Sequence, residues 1–400
     1  MSRRTGLALS AALAMLVLGA LVTFAAAPLF WQRYFAAHAR PVARVPAWYQ
    51  PRELVSGDFQ PLAPHVTPEL ESLDPRALAA AAAYAGAQGS LALIVARHDH
   101  IVFERYWQGS TFDTVIDSQG LTRVLAALAT GSALAQRRIG WPDEPIGYLV
   151  RELAHDRRSS ITIRNLLELS SGLAPPPPDR APWSAATRAL LGTDIVGAAL
   201  ARPLAAVPGE TRASQPADPQ LLALALERAT GTRYAAYLSQ IVWRSIGAAD
   251  AWLYLDRPGG AAHADCCMLA RQGDWIRVGE LLVGEGNYRG YEVIRPAWVK
   301  QMRSPAHADH DYGAYLRLTA AAAGARQPYV APDTYAVDNE GGNRLWVVPS
   351  LGLAVLCSAA EPRAGDFDDA RIPNLIVGGA RDFVPPTVRP GELSTIVPGH

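Results

Sequence analysis

The chain is almost without lysine. Lys300 is the only lysine among 400 residues, so arginine supplies nearly all of the 37 basic side chains, and these balance 37 acidic ones. The formal net charge is therefore zero, without the basic surplus that nucleic-acid-binding proteins carry, and we expect no nucleic-acid partner. The scarcity also limits catalysis. A mechanism that needs a lysine base must use Lys300, whose surroundings ("RPAWVKQM") are typical of a solvent-facing helix.

Cysteine is scarce as well. The three cysteines are Cys266, Cys267 and Cys357, and an odd number with one adjacent pair excludes a framework of several disulfides. All three lie in apolar runs, which indicates small buried side chains. A bridge from Cys357 to one member of the pair is the alternative.

Metal-binding motifs are absent from the sequence. His263 and Asp265 precede the cysteine pair, and we interpret them as structural. The stretch "HADHD", residues 307–311, groups two histidines with two aspartates, but neither a CxxC nor an HExxH frame accompanies it. The sequence therefore predicts a solvated loop there, no metal and no cofactor.

Charge is missing from one long stretch near the N-terminus. From Thr5 to Gln32 no residue is charged, which is long enough for a helix that crosses a bilayer, and Trp31 suits the membrane interface. We predict an uncleaved single-pass anchor over residues 1–32, with the N-terminus in the cytoplasm and the rest of the chain outside it. A signal peptide cleaved near Ala25–Ala27 is the alternative.

The remaining patterns indicate an α+β protein with two lobes. Strand patterns in "SLALIVARHDHIVFERYW" and "RLWVVPSLGLAVLCSA" lie near the two ends, with helical patterns between them, so distant strands must share one antiparallel sheet. The predicted divisions are a Pro-rich linker or arm at 33–75, a domain at 76–385 and a tail at 386–400. Within the domain, the α+β lobe covers about 76–115 and 285–385, and an all-α lobe covers about 116–284.

Several stretches resemble the β-lactamase-related serine hydrolases, a group that holds class C β-lactamases, penicillin-binding proteins, esterases and 6-aminohexanoate-dimer hydrolases. They lie within about residues 90–380: "ERYWQG", "ITIRNLLELSSGL", "PGETRASQPADPQLLALALERATG", "CCMLARQGDWIRVGELLVGEG" and "EGGNRLWVVPSLGLAVL". The resemblance implies a β-lactamase/transpeptidase-like fold, with helices flanking the sheet. With the anchor, it also implies a bacterial inner-membrane protein whose domain is periplasmic.

The resemblance implies three catalytic motifs, and the first is replaced. In the group, Ser-x-x-Lys opens a helix; its serine attacks the acyl carbon and its lysine accepts the proton. A glycine follows that lysine by eight residues, and here Gly131 follows Arg123 by eight, in "DSQGLTRVLAALATG". Gly120 therefore takes the nucleophile's place and Arg123 the lysine's. Glycine has no nucleophile, and arginine keeps its proton.

Ser118 is the alternative nucleophile in this stretch. On a helix it would lie about 200° around the axis from Gly120, and so would face away from the cleft. We interpret Ser118 instead as a helix N-cap, with the displaced nucleophile as the alternative.

The second and third motifs are replaced too. Ser214 stands where the group has the tyrosine of Tyr-x-Asn, and Glu340 stands where it has the lysine or histidine of Lys/His-x-Gly. A negative charge there repels a substrate carboxylate and favours a cation. We expect Arg123 and Glu340 to form an ion pair that closes the site. The predicted cleft is lined by Gly120, Arg123, Ser214, Glu340, Gly341 and Gly342.

The sequence thus predicts a pseudoenzyme, meaning a serine-hydrolase fold without its chemistry. We expect it to bind an unidentified ligand or an envelope protein partner, with the N-terminal helix in the membrane. Two alternatives stay open: an active serine hydrolase with a displaced nucleophile such as Ser118, and a structural subunit of a membrane assembly.

Overall fold

The computed structural model describes residues 18, 22–39, 48–61, 65–361, 365 and 367–385. Most of the predicted anchor at 1–32 and the whole tail at 386–400 lie outside the described residues. Among the ranges that are described, no helix has both the length and the apolar character needed to cross a membrane.

The elements are numbered here in chain order over the described residues. The strands are β1 (Arg52–Val55), β2 (Ser90–Arg97), β3 (His100–Tyr106), β4 (Val115–Asp117), β5 (Ala251–Tyr254), β6 (Met268–Arg271), β7 (Asn287–Tyr288), β8 (Tyr291–Glu292), β9 (Leu316–Arg317), β10 (Tyr335–Val337), β11 (Arg344–Val348) and β12 (Leu353–Ala359). The helices are α1 (Pro28–Ala39), α2 (Pro75–Ala87), α3 (Thr122–Ala135), α4 (Ile163–Leu167), α5 (Ala185–Leu191), α6 (Ile195–Leu200), α7 (Ala217–Thr230), α8 (Tyr234–Leu238), α9 (Gln272–Val283), α10 (Pro296–Met302) and α11 (Arg371–Gly378).

The main sheet is antiparallel and has the strand order β3-β2-β12-β11-β10-β9. The predicted hairpin is confirmed, because β2 and β3 pair across a turn in which His98 and Asp99 have φ values of 47° and 64°. Such a two-residue turn matches the twist of the strands. Central strand β2 is buried along its whole length and pairs with β12 from the far end of the chain, with Ile94 opposite Leu356. The prediction that distant strands share one sheet is therefore confirmed.

Helices cover both faces of this sheet. On one face α9 packs against β12, β11 and β2, and on the other α2 packs against β2 and α11. Helix α2 begins as predicted, with the Asp74 side chain accepting a hydrogen bond from the Arg76 amide. Helix α9 lies within the range predicted as helical lobe, 116–284, but it packs on the sheet because its apolar face is buried there.

The helical lobe is built around α3 and α7. Helix α7 packs against α3, α4, α6 and α8, and its residues from Ala217 to Leu226 are all buried. Gly231 ends α7 in the left-handed region at φ 69°, where glycine carries no steric cost. Helix α4 begins at Thr162, whose side chain forms a capping box with Asn165. These helices hold α3, and so the first motif, against the sheet.

The described parts of residues 33–75, namely 33–39, 48–61 and 65–75, contain elements that pack on the domain, whereas the sequence predicts a linker or arm. Strand β1 pairs with β5 in a second antiparallel sheet, β1-β5-β6-β4, and α1 packs on α5. The side chain of Arg33 in α1 is fully buried and donates to the carbonyls of Gln50, Leu191, Gly192, Leu255 and Asp256. The proline-rich composition therefore conceals a segment that is part of the folded domain.

Candidate functional site

The first replaced motif lies where β4 leads into α3. After Asp117 the chain makes a short turn of 3-10 helix, Gln119–Leu121, and then enters α3 at Thr122. Gln119 has φ 53°, a left-handed conformation that costs energy for a residue with a side chain. This turn fixes the amide of the next residue, Gly120, at the buried start of the helix.

Ser118 stands at the N-cap position of the short turn, as the sequence predicts, but its side chain makes no capping hydrogen bond. Its Oγ is fully buried and accepts a hydrogen bond from Trp275 Nε1 at 2.7 Å. Because α3 starts later than expected, Ser118 faces the core beside α9 and is not presented to a substrate.

Asn339 occupies the space beside Gly120. Its Oδ1 accepts hydrogen bonds from the Gly120 amide at 3.0 Å and from the Gly341 amide at 2.9 Å, while its Nδ2 donates to the Asn343 carbonyl at 2.9 Å. Stabilisation of an oxyanion in acyl transfer needs converging backbone N–H groups that are free to donate. The Gly120 and Gly341 amides already donate to the buried side-chain oxygen of Asn339.

The side chains of Asn339 and Gln119 leave little room for a side chain at positions 120 and 341. A Cβ atom on Gly120 would lie 2.7 Å from Asn339 Oδ1 and 3.2 Å from Asn339 Cα, so a serine there would require a small shift of the Asn339 side chain. A Cβ atom on Gly341 would overlap Gln119 Oε1. That same oxygen accepts from the Gly342 amide at 2.6 Å. The turn before α3 and the segment before β11 are thus closed onto each other.

Arg123 is held by Asp265. The guanidinium lies 2.6 Å from Asp265 Oδ1, its Nε donates to the same carboxylate at 2.9 Å and to the Asp265 carbonyl at 3.2 Å, and its Nη1 donates to Ser214 Oγ at 3.4 Å. Burial disfavours the charged form, but the carboxylates of Asp265, Asp338 and Glu340 outweigh it and raise the pKa of Arg123 above its ordinary value. Arg123 is therefore a fixed cation.

The expected ion pair between Arg123 and Glu340 is wrong. Glu340 is exposed and makes no ion pair with any described residue, whereas Asp265 takes the guanidinium. The physical reason is that Asn339, not Glu340, points towards Gly120. The structure therefore brings together Gly120, Arg123, Ser214, Gly341 and Gly342, and it leaves the Glu340 side chain at the edge of the site.

Asn339, Asp265 and Gln119 are the site residues that sequence reasoning missed. Asn339 is 219 positions from Gly120, and Asp265 is 142 positions from Arg123. A signal existed for Asp265, because a buried arginine in an apolar helix requires an acidic partner. No pattern in the sequence singled out Asn339.

The arrangement contains neither a nucleophile at position 120 nor a base at position 123, and the Gly120 and Gly341 amides both donate to Asn339. The order of the strands, the helix that opens with a tight turn, and the sheet edge facing that turn together match a known family. The β-lactamase family model matches residues 76–365. The chain belongs to the β-lactamase family.

Solved structures agree with this membership. A Bacillus anthracis protein classed as a 6-aminohexanoate-dimer hydrolase superimposes with a TM-score of 0.65 at 15% identity, over 83% of this chain and 89% of that one. A penicillin-binding protein homologue from Caulobacter crescentus gives 0.58 at 14% identity, over 76% and 97%. Identities this low establish the fold alone. No curated protein sequence gives a significant match.

A cavity of about 260 Å³ lies beside the altered site of this β-lactamase-family chain. Its walls come mainly from α5 and α6 and are mostly alanine and other apolar side chains; Asp265, His263 and Cys266 also line it. His263 is buried, and its Nε2 lies 2.7 Å from the hydroxyl of Tyr49. Burial, followed by the positive charge of Arg33, lowers the pKa of His263 to about 3, so the ring is neutral.

The cysteine pair at this cavity is bonded. Cys266 and Cys267 form a disulfide between adjacent residues, with Cys267 at φ 78°. Cys357 is buried on β12 outside this disulfide, with its Sγ 3.2 Å from Ser90 Oγ. The alternative of a bridge from Cys357 to the pair is therefore wrong.

A second buried polar group lies behind Arg123. Ser171 Oγ donates to Asp218 Oδ1 at 2.5 Å, and Gln215 Nε2 donates to the same oxygen at 3.0 Å. Burial raises the pKa of Asp218 to about 8, although the hydrogen bonds from Ser171 and the charge of Arg123 oppose that rise. Asp218 therefore favours its protonated form at neutral pH, within a network of buried hydrogen bonds.

Proposed function

We propose that this chain is a catalytically inactive member of the β-lactamase family that acts as a ligand- or partner-binding module. The observation that carries the proposal is Asn339, whose side-chain oxygen takes both the Gly120 and the Gly341 amides. An enzyme that forms an acyl intermediate needs such donors free for the developing negative charge.

Loss of chemistry at the other positions supports the proposal independently. Gly120 has no nucleophilic atom, and Arg123, bound to Asp265, cannot accept a proton. Ser118 is buried against Trp275, and Ser214 accepts from a fixed cation, while no base among the described residues bonds to its hydroxyl. Each part of the acyl-transfer machinery is therefore replaced by a satisfied, stable contact.

The cavity of about 260 Å³ supports a binding role. Its walls come mainly from two helices of the helical lobe and are mainly apolar, and Asp265, the ion-pair partner of Arg123, also lines it. Burial of apolar surface is the driving force that such a cavity offers. We propose that it takes a small apolar group of a ligand or of an envelope protein partner.

We also propose that the chain is held at the bacterial inner membrane by residues 1–32, with the domain in the periplasm. The uncharged stretch from Thr5 to Gln32 supports this placement. Protease added to spheroplasts is expected to digest the domain, and complete protection of the domain would contradict the orientation.

The experiment restores the family's serine and lysine to this chain and then removes Asn339. Purified full-length protein, the double variant Gly120→Ser/Arg123→Lys, and the same variant with Asn339→Gly are compared for labelling by a fluorophosphonate. We expect no labelling of the first two, because Asn339 still fills the donors. Labelling is expected to begin only when Asn339 is removed as well.

The control is Asn374→Gly in the double variant, which changes a half-buried asparagine on α11 that hydrogen-bonds to Val330 and Pro328, outside the site. It is expected to leave the double variant unlabelled. Labelling of the wild-type chain, or of the double variant with Asn339 intact, would contradict the proposal.

A further inference from the structure

Three groups with the chemistry of metal ligands meet at the wall of the cavity. A ring nitrogen of His263 and the Sγ atoms of Cys266 and Cys267 all lie within 4.8 Å of one another. His263 and Cys267 are buried, and Cys266 is half-buried. Among the described residues, this is the group of three histidine, cysteine or acidic side chains close enough to share a metal ion. Neither the spacing of the cysteines nor any sequence motif predicts it.

The hydrogen bonds of His263 determine which nitrogen is free. Tyr49 Oη lies 2.8 Å from the Leu190 carbonyl, which can only accept, so the phenol proton belongs to that bond. The contact of 2.7 Å between Tyr49 Oη and His263 Nε2 is then a bond that the ring donates. Nε2 therefore carries the proton of the neutral imidazole, and the lone pair is on Nδ1.

Tyr49 holds the ring in the way that metal-binding histidines are held. Such histidines donate the proton of the other ring nitrogen to a fixed oxygen, which sets the tautomer and the orientation. Tyr49 is itself fixed, since it is buried, stacks on Tyr254 and has the Arg33 guanidinium 4.2 Å from its ring centre. The support for a ligand nitrogen is thus built into the fold.

We propose that His263, Cys266 and Cys267 form, when the disulfide is reduced, a three-ligand site for a thiophilic divalent cation of the zinc class. Two thiolates and one imidazole are the ligand set of zinc sites that keep a fourth position open. His263 and Cys266 both line the cavity, so the fourth position faces it and is accessible to a water or a ligand.

Reduction of the disulfide precedes binding of the cation. A dithiol reductant breaks the bond between the two Sγ atoms, gives them two electrons and two protons, and becomes a cyclic disulfide. The cation then displaces both thiol protons to solvent and takes the Nδ1 lone pair. Oxidation of the pair releases the cation, so occupancy of the site follows the redox state of Cys266 and Cys267. This proposal does not depend on the missing hydrolase chemistry.

The test uses full-length protein purified in detergent. One portion is kept oxidised, and another is reduced with dithiothreitol, freed of it under nitrogen and mixed with Cd²⁺. Native mass spectrometry of the reduced chain is expected to show a species whose neutral mass is that of the reduced protein plus one cadmium and minus two hydrogens. The oxidised chain is expected to bind none. This comparison needs no variant and so does not depend on the folding of one.

Variants locate the ion. Cys266→Ser is expected to abolish the ultraviolet thiolate-to-cadmium absorption. Cys357→Ser changes the buried cysteine outside the disulfide and is expected to leave this absorption unchanged. Tyr49→Phe is expected to weaken binding about 10–100-fold, because it frees the ring of His263. Equal binding by the oxidised chain, no binding by the reduced chain, or loss of binding in Cys357→Ser would overturn the proposal.

Discussion

The side chain at position 123 illustrates how one replacement changes the partners of its neighbours. A lysine at this position would present a single ammonium, whereas Arg123 presents a planar fork that Asp265 and Ser214 both meet. In the same way, the side-chain oxygen of Asn339 accepts hydrogen bonds from the amides of both Gly120 and Gly341. The side chains at and beside the replaced motif positions thus make buried polar contacts, and the contribution of these contacts to the free energy of unfolding can be measured.

Asp265→Asn is expected to lower the free energy of unfolding by about 3 kcal/mol, because it leaves the Arg123 guanidinium, whose side chain is 8% exposed, without its counter-charge. Chemical denaturation followed by circular dichroism measures the change. Glu340→Gln is the matched control, and it is expected to change stability by less than about 0.5 kcal/mol because Glu340 is exposed. Equal losses in the two variants would contradict the assigned pair.

Among the elements, α1 shows what composition hides. The stretch around it has no clear periodicity, yet Arg33 inserts its whole side chain between α5 and β5 and satisfies five carbonyl groups. A segment predicted from prolines as a linker is held by one buried cation. If the uncharged stretch before α1 lies in the membrane, the domain is attached to the membrane by a docked helix.

Arg33→Ala is expected to reduce the free energy of unfolding by about 3 kcal/mol or more, because several buried carbonyls lose their charged donor. Arg244→Ala, on the exposed turn after α8, serves as the control and is expected to be nearly neutral. Thermal melting of both variants in the same detergent checks this. A melting temperature of Arg33→Ala equal to that of the control would contradict the docking of α1.

The elements with strong patterns could be predicted from the sequence, and the contacts between them could not. The hairpin of β2 and β3, the pair β11 and β12, and the cap at Asp74 follow from local alternation, turns and capping residues. The start of α3 was misplaced because the strained turn at Gln119 depends on contacts with residues more than 200 positions away. Asn339 was missed for the same reason.

At the scale of the whole molecule, several buried acids make stability depend on pH. Burial raises the pKa of Asp218 to about 8 and those of Glu168 and Glu280 to about 7. These groups bind protons in the folded chain that the unfolded chain has already lost near pH 7. The stability that these protonated acids contribute is therefore fully present at low pH. It is lost as the pH rises through their pKa values in the folded chain.

We expect the free energy of unfolding to fall by about 1 kcal/mol or more between about pH 6.5 and pH 8.5. The window begins at the ordinary pKa of histidine, so the neutral His263, whose lowered pKa acts in the opposite direction, offsets the decline only at the lower end of the window. Denaturant titrations across the window measure the decline. Asp218→Asn is expected to flatten it, and a stability that rises with pH in the wild type would contradict the account.

The central claim is that this β-lactamase-family chain has lost acyl transfer, because Gly120 offers no nucleophile and the Gly120 and Gly341 amides both donate to Asn339. The most direct test is the intact mass of the full-length protein after incubation with a penicillin and, separately, with a fluorophosphonate. The account predicts an unchanged mass in both cases. A stoichiometric adduct on any serine, above all on a peptide that contains Ser118 or Ser214, would contradict it.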